Sequence, residues 1–103
     1  MTDSDLMHLA AKAVGYTIQE AGIGFGGERL WWCDDISASW CPLTDDGDAL
    51  RLATALGLVV DCSRPSAGEP YKPHGLSAGE QGDIGTLTRR AIVRAAAEIG
   101  RAK

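Results

Sequence analysis

Between Pro42 and Cys62 the chain runs from a turn into a helix and from the helix straight into a strand, and that junction constrains the fold most. Pro42 disfavours helix at Cys41. Thr44 or Asp45 supplies an N-cap, and Asp48 adds negative charge where the helix macrodipole favours it. Ala49, Leu50, Ala53 and Leu56 repeat at helical spacing and form the expected inward stripe, and Gly57 is the expected stop. Leu58-Val59-Val60-Asp61-Cys62 follows at once, a short β-branched run bounded by Ser63-Arg64-Pro65. A continuous apolar run suits a strand covered on both faces, so the segment predicts a small α/β domain with helices packed on a sheet.

The flanking segments extend the pattern. Ser4 can cap a helix from about Asp5 to Ala13, with Leu6, Leu9, Ala10 and Ala13 on one face and Gly15 as the stop. Tyr16 to Glu20 reads as a strand. Gly22, Gly24, Gly26 and Gly27 then favour a hairpin turn into a second strand, Leu30-Trp31-Trp32-Cys33. Successive strand residues face opposite sides, so Trp31 and Trp32 are both buried only if both sheet faces are covered; otherwise one indole is exposed. Asp34 to Cys41 reads as loop. From Ser63 to Gly85 the chain holds three prolines and five glycines and loses its periodicity, which predicts a long loop within one domain spanning residues 1–103. Pro70 and Pro73 weaken an extra strand near Tyr71 to His74. The last helix is expected from about Thr86 to Arg101, with Leu87, Ala91, Ala95 and Ile99 at steps of four.

Several function classes recede on composition. With 45% apolar and 23% charged residues, 103 residues make one globular domain. No apolar run approaches the roughly 18 residues of a membrane helix, so no membrane partner is expected. The acidic start, Met-Thr-Asp-Ser-Asp, lacks the order of a secretion signal, and the odd count of three cysteines argues against a disulfide framework. A cytoplasmic protein with reduced thiols is expected. The net charge of −4 is uneven: from Gly85 onward five cations face one acid, giving +4 and leaving −8 for the rest. Arg89, Arg90 and Arg94 therefore mark a basic edge on an acidic body, either a solvated helix face or a partner surface.

No catalytic pattern stands out. Cys33, Cys41, Cys62, His8 and His74 lack the close pairing of zinc ligands, and no cofactor or metal is expected. Asp45-Asp46-Gly47-Asp48 is acidic, but the twelfth position of a calcium loop begun at Asp45 would be Leu56, so helix capping explains these acids better. The glycine cluster leads into a strand instead of a helix, unlike a dinucleotide or phosphate loop. A Cys/His nucleophile pair needs proximity that spacing alone does not give.

Three blocks, Leu9 to Tyr16, Trp40 to Ala53 and Thr88 to Gly100, resemble the phage ABA sandwich domain family, small phage and prophage proteins of largely unknown function. Together they cover roughly a third of the chain, and the central block, Trp-Cys-Pro-Leu-Thr-Asp-Asp-Gly-Asp-Ala-Leu, is the most specific. The chain departs from the family at Cys41, where Asn is more usual, and in the Gly/Pro-rich segment. The resemblance implies a three-layer α-β-α sandwich: a small central sheet of about three to four strands with helices on both faces. It implies no catalytic residue. The expected function is that of a phage or prophage accessory protein that binds a host bacterial protein without catalysis, through Trp31, Trp32, Trp40 and the Arg89, Arg90, Arg94 edge. The alternatives are a nucleic-acid-binding module using the basic last helix and a small Cys/His hydrolase. The sequence carries no signal of oligomeric state.

Overall fold

The first helix, α1 (Asp3–Val14), is capped by Thr2, two residues earlier than the sequence pattern indicates. The computed structural model describes residues 2–27, 29–70, 72–74 and 82–103. The Thr2 hydroxyl accepts the Asp5 N–H at 3.1 Å and the Asp5 carboxylate accepts the Thr2 N–H at 3.0 Å, a reciprocal box that outcompetes Ser4 as the cap. Gly15 closes the helix at φ 77°, where a Cβ would be strained.

Two short hairpins follow. Strands β1 (Ile18–Ile23), β2 (Arg29–Cys33) and β3 (Ala38–Ser39) form an antiparallel sheet in that order. Its register slips between Glu20 and Gly22, a bulge that Gly22 accommodates at φ 119°. Helix α2 (Asp46–Leu56) starts at the Asp45 cap and ends at Gly57 as expected, although Leu50 points to solvent while Ala49, Leu52 and Ala53 are buried.

Strands β4 (Val59–Asp61), β5 (Ser66–Glu69) and β6 (Lys72–His74) form a second antiparallel sheet, in chain order. Helix α3 (Ile84–Arg101), capped by Asp83, ends the described chain. Among the described residues, no helix is long and apolar enough to cross a membrane.

The 34–41 segment, expected as a loop, contains β3, which adds to β2 through Trp32↔Ser39 and Cys33↔Ala38, and three further expectations change. Where the sequence pattern places one central sheet, the strands form two separate sheets, because each pairs with its neighbour in sequence and α2 stands between β3 and β4. The expected 63–85 loop contains β5 and β6; its residues 75–81, like Tyr71, lie outside the described residues. Ser-Ala-Gly-Glu has no strand-forming character of its own. It is held extended because Ala67 and Gly68 are small enough to bury against α3, and Pro73 sits on the outermost strand, where a missing donor is tolerated. Third, β4 is not covered on both faces, since half of Val59 is open to solvent.

The core is built around α3. Ala91, Val93, Ala95, Ala96, Ala97 and Gly100 are buried along it. Asp3 pairs with Arg90 at 3.1 Å, the Leu9 carbonyl lies against Gly100, and the Ala13 carbonyl accepts the Lys103 ammonium at 2.8 Å. These contacts advance together along both helices, so α1 and α3 run side by side in the same direction. Lys103 also satisfies one of the carbonyls left open at the C-terminal end of α1.

Candidate functional site

The acids after Pro42 turn out to brace the fold. Asp45 Oδ1 accepts the Gly47 N–H at 2.8 Å, the capping bond that opens α2. Asp48 is buried: its Oδ2 accepts the Cys41 N–H at 2.9 Å and its Oδ1 accepts the Arg51 guanidinium at 2.7 Å. One carboxylate thus ties the loop before Pro42 to the helix after it, and its hydrogen bond pushes the Arg51 pKa up. From α3, Arg89 Nε donates to the Leu43 carbonyl at 3.0 Å and its Nη1 to Asp46 at 2.6 Å. Arg89 therefore clamps α3 to the start of α2, as Arg90 ties it to the start of α1. Arg94, half-buried on the same helix, is also engaged within the molecule.

Trp31 is 4% exposed and Trp40 is 2% exposed. A ring inside the core cannot meet a partner, so both leave the proposed contact surface. Trp31 takes the edge of His8 at 5.1 Å between ring centroids, and Trp40 takes Tyr16 at 5.7 Å, both T-shaped. Strand alternation decides which tryptophan is exposed. Trp31 and Cys33 face inward, and Leu30 and Trp32, each 38% exposed, face outward.

The outward face is bare for a physical reason. Gly22 pairs with Leu30, and Gln19 and Ser39 flank Trp32, so a missing and a small neighbour leave the two large side chains uncovered. Beyond them the β1–β2 turn, closed by the Gly27 N–H on the Gly24 carbonyl at 3.0 Å, lifts a fully exposed Phe25 into solvent, and Ile23, opposite Arg29 at the end of β1, is exposed beside it. Ile23, Gly24, Phe25 and Leu30 line one shallow groove of about 330 Å³. At the other end of the strip Trp32 Nε1 donates to Asp34 Oδ1 at 2.9 Å, which fixes the carboxylate at the indole edge.

No protein-family model, curated protein or solved structure matches the chain.

Ile23, Phe25 and Leu30 were not among the residues that the sequence pattern marks for contact. The signal for Ile23 and Phe25 lies in Gly22-Ile23-Gly24-Phe25-Gly26-Gly27, where each apolar side chain has glycines on both sides and so no adjacent side chain to cover it; Leu30 carries no such signal. The cysteines are free thiols: Cys33 buried, Cys41 half-buried and Cys62 exposed. The Cys33 thiol donates to Asp35 at 3.7 Å, a weak contact. Among the described residues, no group of three or more His, Cys, Asp or Glu is placed to hold a metal ion.

Proposed function

We propose that this chain is a phage or prophage accessory protein that acts in the bacterial cytoplasm by binding a host protein, without catalysis, through the outward face of its first sheet. The observation that carries this reading is the pair of exposed apolar side chains Leu30 and Trp32 on that face, continued at the hairpin's end by Phe25. Large apolar groups gathered on a small domain are unfavourable in water unless something covers them. The phage setting rests on the resemblance of the Trp40 to Ala53 block. The docking reading needs one face of the first sheet uncovered, with α1 against Trp31 on the other face, so it does not rest on the three-layer arrangement that the family implies.

Nucleic-acid binding by the last helix is the weaker alternative, because Arg89 and Arg90 are spent on internal partners. A Cys/His hydrolase is weaker still, with Cys33 buried and turned to Asp35.

The test places a photo-crosslinking amino acid at Phe25 in a bacterial host and isolates what it captures. The expected result is one host protein, whose purified form binds wild type and loses at least about tenfold in affinity for Phe25→Ser/Leu30→Ser. Affinity of the purified host protein that is unchanged by those substitutions refutes the reading. Titration with single- and double-stranded DNA at two salt concentrations tests the alternative, since phosphate contacts weaken steeply with salt.

A further inference from the structure

The two ends of the exposed strip differ in chemistry. One end is the Phe25, Ile23 and Leu30 groove. The other is the Trp32 ring with the Asp34 carboxylate held at its edge at 2.9 Å. An indole face is electron-rich and attracts a cation, and a carboxylate beside it adds a hydrogen-bonding counter-charge. The charge at this end is that of Asp34, on a chain whose net charge is −4; Glu20, opposite Trp31, and Arg29 belong to the other face of the sheet. Arg29 is already paired with Glu20 at 2.9 Å.

This charge distribution selects among occupants. A second copy would bring a second Asp34 to the same face, and an anionic bilayer would repel a chain with a net charge of −4. A partner segment that carries both an apolar and a basic side chain complements both ends. Leu30 and Trp32 are two residues apart on β2, so their side chains stand roughly 6.6 Å apart on one face. An extended partner segment presents side chains to one face with the same two-residue period.

Resting on the host-protein reading above, we propose that the strip recognises an extended protein segment of the form apolar–x–Arg/Lys. The apolar side chain fills the groove by Leu30 and Phe25, and the cation lies over Trp32 with Asp34 at its edge. Trp32 supplies the surface, and Asp34 makes the site prefer a cation to a neutral group.

The test uses fluorescently labelled short peptides of three kinds, apolar–x–Arg, apolar–x–Gln and Gln–x–Arg, titrated against the full chain by fluorescence polarisation. The expected result is that apolar–x–Arg binds about tenfold or more tighter than either of the others, and that added salt narrows the difference. Asp34→Asn keeps an acceptor for the indole N–H and so preserves the fold, checked by an unchanged far-UV circular dichroism spectrum. In that variant the preference for Arg over Gln should disappear. Trp32→Leu, which keeps apolar volume but removes the ring, should lose the preference in the same way. Equal binding of the Arg and Gln peptides, a preference that survives Asp34→Asn, or no binding by any peptide overturns the inference. If both apolar peptides bind equally and Leu30→Ser abolishes them, cation recognition fails while the docking reading stands. Unchanged affinity of the captured host protein for Phe25→Ser/Leu30→Ser is the separate result that fails the docking reading.

Discussion

Gly100→Ala tests the packing of α1 against α3 most directly, because two effects of opposite sign compete there. In an isolated helix the change is favourable by about 0.8–1.0 kcal/mol, since alanine loses less backbone entropy than glycine. In this fold a Cβ at position 100 would run into the Leu9 carbonyl oxygen and would lie 2.8 Å from its carbon. Backbone atoms cannot swing aside as a flexible side chain can, so α1 must move away. A gap of about 0.5–1 Å forfeits a quarter to a half of the dispersion attraction across it. The loss falls on Ala10, Ala13, Ala96 and Ala97, whose small side chains need the short approach. Overpacking of this kind costs about 1–3 kcal/mol, and with a backbone collision the upper part of that range applies, which outweighs the propensity gain. A net loss of about 2 kcal/mol corresponds to a melting temperature lower by about 8–16 °C for a domain of this size. Thermal unfolding followed by far-UV circular dichroism reads it. Gly85→Ala is the comparison: the nearest atom to its Cβ is Arg89 Nη1 at 3.2 Å, a side-chain end held by Asp46 that needs to give by only a few tenths of an ångström. That variant should lose clearly less in melting temperature than Gly100→Ala. If Gly100→Ala melts no lower than wild type, the close approach of the two helices is refuted.

Asp48→Ala removes both the acceptor of the Cys41 N–H and the partner of Arg51, and should cost about 1–3 kcal/mol in chemical unfolding, whereas a change at exposed Asp34 should cost little. Backbone and hydroxyl hydrogen bonds at Thr2 hold the Asp5 carboxyl below its ordinary value of 3.8, and those at Thr86 do the same for Asp83. Because these folded-state values are depressed, their contribution is present above about pH 4 and is lost as pH falls further. Melting temperature should therefore be flat from neutrality to about pH 4.5 as far as these caps are concerned and fall below it, with a shallower fall in Asp83→Asn, which keeps a cap but cannot titrate there. Phe25→Ser should leave the melting temperature within about 0.5 kcal/mol of wild type in stability terms, since surface changes rarely exceed that, while weakening partner capture.

What the sequence made legible was local. Pro42, the Asp45 cap and Gly57 bound α2 by chemistry contained in a few adjacent residues, and the structure places the helix at Asp46–Leu56. The last helix and β4 are visible for the same reason. What stayed hidden depends on distant neighbours. Ser66–Glu69 is a strand only because α3 needs small residues beside it, and no propensity within Ser-Ala-Gly-Glu announces that. Leu50 looks inward by composition, yet the stripe set by Ala49, Leu52 and Ala53 leaves it outside. At the candidate site, alternation required Trp31 and Trp32 to face opposite ways but not which of them faces the core; contact with α1 through His8 decides it. The positive charges of Arg89 and Arg90 were legible and their internal partners, Asp46 and Asp3, were not, which is why they resemble a contact edge until the fold is known.

The alignment of α1 with α3 has a consequence for how the protein is made. Arg90 and Lys103 reach residues 87 and 90 positions earlier in the chain. On a ribosome, α1 emerges well before α3 and must wait for the segment between them before its permanent neighbour arrives. Closing so long a loop slows the final docking step, and until then the oily side of α1 stays open to whatever chaperone or nascent chain is nearby.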